Sequence, residues 1–99
     1  MEHYRQGDVL IRRTAALPPG VVPATGSVLA RGEATGHAHV VVGDGVVFRD
    51  PGSKALYVQV MSSAMVTHPD HNPITLGPGL YEIIRQREYT PESIHAVRD

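Results

Sequence analysis

Short apolar runs separated by turn-forming residues follow one another along this chain and predict a sheet rather than helices. The runs at 6–14, 27–34, 37–42, 55–61 and 80–89 carry the β-branched, aliphatic and aromatic residues that strands favour. Their side chains alternate between two faces, as in a pleated strand. Val9 and Ile11 share one face of the first run, and Tyr81 and Ile83 share one face of the last run.

Glycine, proline, aspartate and asparagine mark the turns between these runs. We expect a tight hairpin at Gly43-Asp44-Gly45 and a second turn at residues 50–53. The proline-rich stretch 17–26 is predicted to be a surface loop. The Ser62-Ser63 break leaves residues 55–67 as either one bent strand or two strands.

These elements predict an all-β fold: a small single-domain β-barrel, or a sandwich, with a short C-terminal helical turn. Barrel closure would remove exposed sheet edges. The helical turn is expected at 91–98, because Thr90 can act as an N-cap and Pro91 suits the first helical position. With 99 residues and 41% hydrophobic content, the whole chain 1–99 is predicted to form one domain.

Charge and cysteine content narrow the possible functions. Nine basic and ten acidic residues leave a formal charge of -1, so there is no strong field to attract nucleic acid or anionic lipid. The absence of cysteine excludes disulfides and thiolate metal sites. No apolar run approaches the roughly 20 residues of a membrane span, and no signal peptide is recognisable. A cytoplasmic location is the expectation.

Histidines in two short motifs form the main chemical signal. In GHAHVV, His37 and His39 stand at i and i+2, which on a strand places them on one face about 7 Å apart. Ala38 and Val40 would then face the other side, which we expect to be the core. Two imidazoles on one polar face are spaced to share one ion.

The second motif, HPDH, places His68 and His71 on either side of a proline turn. We predict that all four histidines converge on a divalent metal, zinc or iron(II), with Asp70 as a supporting carboxylate. The alternative is that each histidine is only solvated or hydrogen-bonded locally. Three nitrogen ligands would leave an open position for catalysis, whereas four would make a closed structural site. A structural role is favoured, because a small core gains folding free energy from coordination.

Other polar residues suggest supporting or separate roles. Glu33 could act as a general base on metal-bound water, although an exposed strand carboxylate is the simpler interpretation. Arg85, Arg87 and Tyr89 share a strand face that could contact a ligand or a protein partner. Paired arginines on a strand more often meet acids on a neighbouring strand.

The segments GEATGHAHVV, HPDHNPITLGPG and RQREYTPE resemble a group of small, uncharacterised bacterial and phage-associated proteins that open with a YRQGDV-like segment. The resemblance covers nearly the whole chain. It implies a shared small domain and directs attention to the four histidines and to Arg85, Arg87, Glu88 and Tyr89, but it implies no mechanism.

The HxH motif is more distantly similar to that of cupins, in which a glycine precedes it and an acidic residue follows, as Gly36 and Asp44 do here. The chain departs from the cupin pattern after Pro78-Gly79, where no histidine follows. His68 or His71 would have to replace that ligand from another strand end.

Three functions are therefore open. The chain is first a metal-binding β protein; second, a non-catalytic interaction or accessory domain, or a homo-oligomer, that uses the Arg85, Arg87 and Tyr89 face; and third, a small cupin-like metal-dependent enzyme. The sequence leaves open whether the protein is an enzyme, and it favours a non-catalytic role.

Overall fold

The computed structural model describes residues 3–31 and 37–85, which form an all-β domain with no helix. The predicted fold class is therefore confirmed. The predicted helical turn at 91–98 lies outside the described residues. The eight strands are β1 (His3–Gln6), β2 (Val9–Thr14), β3 (Val22–Pro23), β4 (Val28–Arg31), β5 (Ala38–Arg49), β6 (Leu56–His68), β7 (His71–Leu76) and β8 (Gly79–Arg85).

A long antiparallel hairpin of β5 and β6 is the centre of the fold. The chain does not reverse at Gly43–Gly45, so the prediction of a tight hairpin there is wrong. Gly43 has a φ of 91°, and the register shifts between Gly43 and Gly45 while both flanking segments stay paired with β6. Two glycines in a strand thus produce a bulge and a bend, without a turn.

The true reversal between β5 and β6 is the predicted turn at residues 50–53. The Lys54 amide donates to the Asp50 carbonyl at 2.7 Å, and the Gly52 amide donates to Asp50 Oδ1 at 3.0 Å. Leu56–His68 form one continuous bent strand, which resolves the alternative left open by Ser62-Ser63.

The bend lets one sheet fold over itself. The first part of β6 pairs with β8 and the second part with β7, so the two halves of the hairpin belong to different layers. Inward side chains from both layers form a single core that includes Val9, Ile11, Val58, Leu76 and Tyr81. The prediction that Val9 and Ile11 share one face, and that Tyr81 and Ile83 share one face, is confirmed, and the structure shows that both faces point into the core.

Among the described residues the strands pair along an open path, β1-β2-β8-β6-β5-β3, with β4 and β7 attached to β5 and β6. The predicted barrel closure is therefore not observed, and a sandwich-like arrangement describes the fold. The edge strand β3 pairs through only two residues, which is a common way of limiting exposed edges.

Two boundaries differ from the sequence prediction in a way that bears on the site. A separate strand, β1, precedes most of the first predicted run, and the Gly7-Asp8 turn connects it to β2. The turn after β6 contains only Pro69 and Asp70, because His71 already pairs with His68 at the start of β7. Both turns end short antiparallel pairs, and both supply polar side chains at their tips.

Candidate metal centre

Three segments meet at one end of the folded sheet. They are the β1–β2 turn with Gln6, the start of β5 with His39, and the β6–β7 turn with His68 and His71. Direct contacts between β1 and β7 hold the first and third segments together, and the pairing of β5 with β6 brings in the second.

The four predicted histidines converge at this end. The ring centres of His39 and His68 lie 4.3 Å apart, those of His68 and His71 lie 4.6 Å apart, and those of His39 and His71 lie 6.2 Å apart. The His37 ring centre lies 6.0 Å from that of His68. His68 is thus the central ring, in contact range of the other three.

His39 is buried, with 3% of its surface exposed. It faces the core side of β5 together with Val41, whereas Ala38 and Val40 are half-buried. The prediction that Ala38 and Val40 would face the core is therefore wrong. The His39 side chain is tolerated inside because a buried polar partner satisfies it.

That partner is Gln6, which is 1% exposed. Its Oε1 lies 2.8 Å from His39 Nδ1, and its Nε2 donates to the carbonyls of Val66 at 3.0 Å and Asn72 at 2.8 Å. Gln6 thereby connects β1 to β5, β6 and β7. Sequence reasoning missed this residue, since a single glutamine before a Gly-Asp turn has no distinctive pattern.

His37 occupies a different environment at the rim. Its side chain is 41% exposed, and its Nδ1 lies 2.6 Å from Asp70 Oδ2. The hydrogen bond from His37 is the main cause of a lowered pKa at Asp70. Asp70 thus contacts one histidine of the cluster, and its predicted role as a supporting carboxylate of a metal stays a prediction.

The other two rings are fixed by backbone. The Asp70 amide donates to His68 Nδ1 at 3.0 Å. His71 lies against the β1–β2 turn so closely that a Cβ added to Gly7 would meet its Nε2 at 2.8 Å. Gly7 has a φ of 61°, so both its conformation and the neighbouring ring favour glycine.

A carboxylate that sequence reasoning did not select, Asp8, lies beside the cluster. Its Oδ1 is 3.5 Å from His39 Nε2, and its Oδ2 is 3.5 Å from Arg85 Nη2. Arg85 also donates to the Arg31 carbonyl at 3.3 Å. Arg85, which was predicted to contact a ligand or partner, thus contacts groups of its own chain and lies beside the Asp8 carboxylate at the edge of the cluster.

Burial is the largest cause of a lowered pKa at His39, and the charge of His68 lowers it further, against an opposing effect of Asp8. The neutral imidazole is therefore the favoured form of His39 near neutral pH. A neutral imidazole has one nitrogen lone pair to offer to a proton or a metal.

Glu33, Arg87 and Tyr89 lie outside the described residues. Asp44, the acidic residue of the cupin comparison, accepts hydrogen bonds from the backbone and hydroxyl of Ser62 at the bend of the hairpin. It is five residues along β5 from His39, about 16 Å at the rise of a strand.

The nitrogen and oxygen donors are not arranged around a common point. Within 3–31 and 37–85, no group of three or more histidine, aspartate or glutamate side chains is positioned to hold a metal ion. The rings converge, but Nδ1 of His37, of His39 and of His68 each lies against a hydrogen-bond partner and is not directed at a shared point. A depression of about 510 Å³ opens beside His37 and His68, and Thr67 and Pro69 contribute to its lining.

Fold and site together define a class: a small folded antiparallel sheet with a histidine-rich polar cluster at one end. The chain belongs to the family described as Domain of unknown function (DUF8820), whose model matches residues 5–86. The match includes Gln6, Asp8 and all four clustered histidines. Neither the comparison with curated proteins nor that with solved structures gives a significant match. In the described part of the chain, no helix has the length and apolar character needed to cross a membrane.

Proposed function

We propose that this protein binds one divalent metal ion of the zinc or iron(II) type through His39, His68 and His71. The observation that carries the proposal is the mutual approach of these three rings, with centre separations of 4.3, 4.6 and 6.2 Å. His37 stands at the rim of the same cluster.

The separations agree with those of shared ligands. With a metal–nitrogen bond of about 2.0–2.1 Å, a ring centre lies roughly 3 Å from the ion, so two tetrahedral ligands have centres about 5 Å apart. The observed distances fall on both sides of that value. Rotation of the rings about their side-chain bonds, without a change of strand pairing, can then direct the nitrogens to one point.

The donor set favours some metals over others. Imidazole nitrogens suit zinc, iron, nickel and copper, whereas magnesium and calcium prefer sets of oxygen ligands. Among the described residues, the acidic groups beside the rings include Asp8, next to His39, and Asp70, next to His37. A binding preference for zinc over magnesium follows from this composition.

Metal binding through His68 would disturb one hydrogen bond in the metal-free protein. Because His68 Nδ1 accepts the Asp70 amide, the neutral ring carries its proton on Nε2. Coordination through either nitrogen must break this hydrogen bond or move that proton. The Asp70 amide is therefore the backbone group expected to respond first when metal is added.

The ion would cross-link separate segments of the chain. His39 comes from β5, while His68 and His71 come from the β6–β7 turn that lies against the β1–β2 turn. Coordination would join segments that are distant in sequence, in addition to the hydrogen bonds of Gln6 that already connect them. A structural role accordingly has more support than a catalytic one.

The experiment is a calorimetric titration of untagged apoprotein with zinc, accompanied by magnesium as the control ion. We expect one zinc per chain, no measurable magnesium binding, and a higher melting temperature with zinc. At a free zinc concentration 100 times Kd, the stabilisation should be about 2.7 kcal/mol.

Matched variants locate the site. His68→Asn should abolish the binding, whereas His3→Asn, at an exposed position on β1, should leave it unchanged. A wild-type chain that stays metal-free, or a His68→Asn variant that binds zinc as tightly as wild type, would refute the proposal.

A further inference from the structure

We infer that Gln6 is a positioning residue that holds His39 in the Nδ1–H tautomer, so that the lone pair of His39 Nε2 and the carboxylate of Asp8 form a paired nitrogen–oxygen site. The inference deepens the proposed metal function by naming an oxygen ligand and the residue that prepares its nitrogen partner. Its central test does not require metal.

The orientation of the Gln6 side-chain amide is fixed by its partners. The amide nitrogen lies 3.0 Å from the Val66 carbonyl and 2.8 Å from the Asn72 carbonyl. Both of these groups can only accept hydrogen bonds. A flipped amide would place its oxygen against two carbonyl oxygens, so Gln6 Oε1 must be the atom that faces His39.

The tautomer of His39 follows from this orientation. Gln6 Oε1 can only accept, and it lies 2.8 Å from His39 Nδ1; hence Nδ1 carries the proton. In a neutral imidazole the other nitrogen, Nε2, is then unprotonated. A histidine whose second nitrogen donates to a fixed acceptor is the usual arrangement of a metal ligand.

The opposite side of the ring completes the argument. His39 Nε2 lies 3.5 Å from Asp8 Oδ1, so a lone pair and a carboxylate oxygen face each other. Without a cation between them, two acceptors at this distance repel. On one tetrahedral ion with bonds of about 2.0–2.2 Å, nitrogen and oxygen ligands are roughly 3.4 Å apart. The observed spacing matches that of two ligands on one ion.

Burial distinguishes the pair of Gln6 and His39 from the exposed pair of His37 and Asp70. Gln6 and His39 are almost completely buried, so water cannot replace either partner. The β1–β2 turn fixes Gln6 and Asp8 together, because only Gly7 stands between them. One short segment therefore supplies both the group that orients His39 and the oxygen that shares its ion.

The first experiment measures the tautomer in metal-free protein. Histidine-selective ¹⁵N labelling and long-range ¹H–¹⁵N correlation at about pH 8, above the usual histidine pKa, should show His39 protonated at Nδ1 with Nε2 bare. In Gln6→Met this pattern should disappear, while the pattern of His37 stays unchanged. A wild-type His39 protonated at Nε2 would overturn the inference, even if Gln6→Met failed to fold.

The second experiment measures zinc affinity. Gln6→Met and Asp8→Asn should each weaken zinc binding about 10- to 100-fold, and Asp70→Asn, at the rim, should weaken it less than either. Equal affinity in wild type and Asp8→Asn would remove Asp8 from the ligand set. A wild-type chain that binds no zinc but shows the Nδ1–H tautomer would refute the metal function and leave the role of Gln6 in place.

Discussion

His37 and His39 are only two positions apart in one motif, yet one is exposed and the other is buried. His37 lies at the rim, paired with the exposed carboxylate of Asp70. His39 is enclosed, and its partner is the neutral, buried amide of Gln6. An exposed ion pair contributes little to stability because water competes for both members, whereas a buried hydrogen bond is costly to break. The comparison separates the part of the cluster that supports the fold from the part that faces solvent.

The largest effect is expected from Gln6→Leu. This change leaves the His39 ring N–H and the carbonyls of Val66 and Asn72 without their buried partner. The free energy of unfolding should therefore fall by about 2–4 kcal/mol. Urea denaturation followed by circular dichroism measures the loss. Asp70→Ala at the rim is the matched control and should unfold close to wild type; equal losses in the two variants would contradict the distinction.

A smaller effect is expected from Gly7→Ala, which tests the packing of His71 on the β1–β2 turn. The added Cβ meets His71 Nε2, and the left-handed backbone adds about 1–2 kcal/mol. Gly20→Ala is the control, since Gly20 has a φ of 88° but no atom within 4 Å of the added Cβ. Both variants should lose stability, but only Gly7→Ala should also weaken zinc binding. Equal zinc affinities would show that His71 is not held by this turn.

The pH dependence of stability should distinguish the enclosed histidine. Burial, and then the charge of His68, place the pKa of His39 below its usual value of 6.5. The unfolded chain therefore takes up this proton at a higher pH than the folded chain. The stability associated with neutral His39 is complete above about pH 6.5 and is lost as the pH falls through the lowered folded pKa.

Denaturation series from pH 8 to pH 5 on metal-free protein would measure this slope. His39→Gln should flatten it, and His3→Gln, at an exposed position, should not. The titratable groups that face His39 are His68, His71 and Asp8. Because these groups are present in both proteins, the contribution of His39 is the difference in slope between the variant and wild type. An unchanged slope in His39→Gln would assign the acid sensitivity to other groups.

The smallest effect is expected at the rim. His37→Gln removes the contact with Asp70 but no buried hydrogen bond, so the melting temperature of the metal-free protein should stay near that of wild type. Zinc affinity should fall less than in His68→Asn, because the His37 ring lies at the edge of the cluster, 6.0 Å from the central ring of His68. A complete loss of zinc binding would move His37 into the main ligand set.

Several features of the fold could be predicted from local patterns in the sequence. The alternation that placed Tyr81 and Ile83 on one face corresponds to two buried residues of β8, and Val9 and Ile11 are fully buried in β2. The hairpin predicted at Gly43–Gly45 failed because glycine pairs permit a turn and a bulge alike, and only the continued pairing with β6 chooses between them. Val40 was assigned to the core for a similar reason, since alternation gives two faces without saying which is inside.

The candidate site was readable only in part. The histidine motifs have recognisable spacing, and their convergence was predicted from it. Gln6, Gly7 and Asp8 were not selected, because a glutamine and an aspartate beside a glycine are ordinary turn residues. The importance of Gln6 depends on contacts with Val66, Asn72 and His39, which are 33 or more residues away in the chain. Gly7 and Asp8 likewise depend on the distant residues His71 and His39.

The sequence by itself determined that this chain folds as short strands around an apolar core and that its histidines stand in two closely spaced pairs, since alternation and spacing are local properties. The tertiary structure decided which histidine is enclosed, which nitrogen of that ring faces Gln6, and which carboxylate lies beside the other nitrogen. These properties arise where a folded sheet brings three distant segments to one end, because a hydrogen bond or a metal ligand depends on distances in space that separation along the chain does not set.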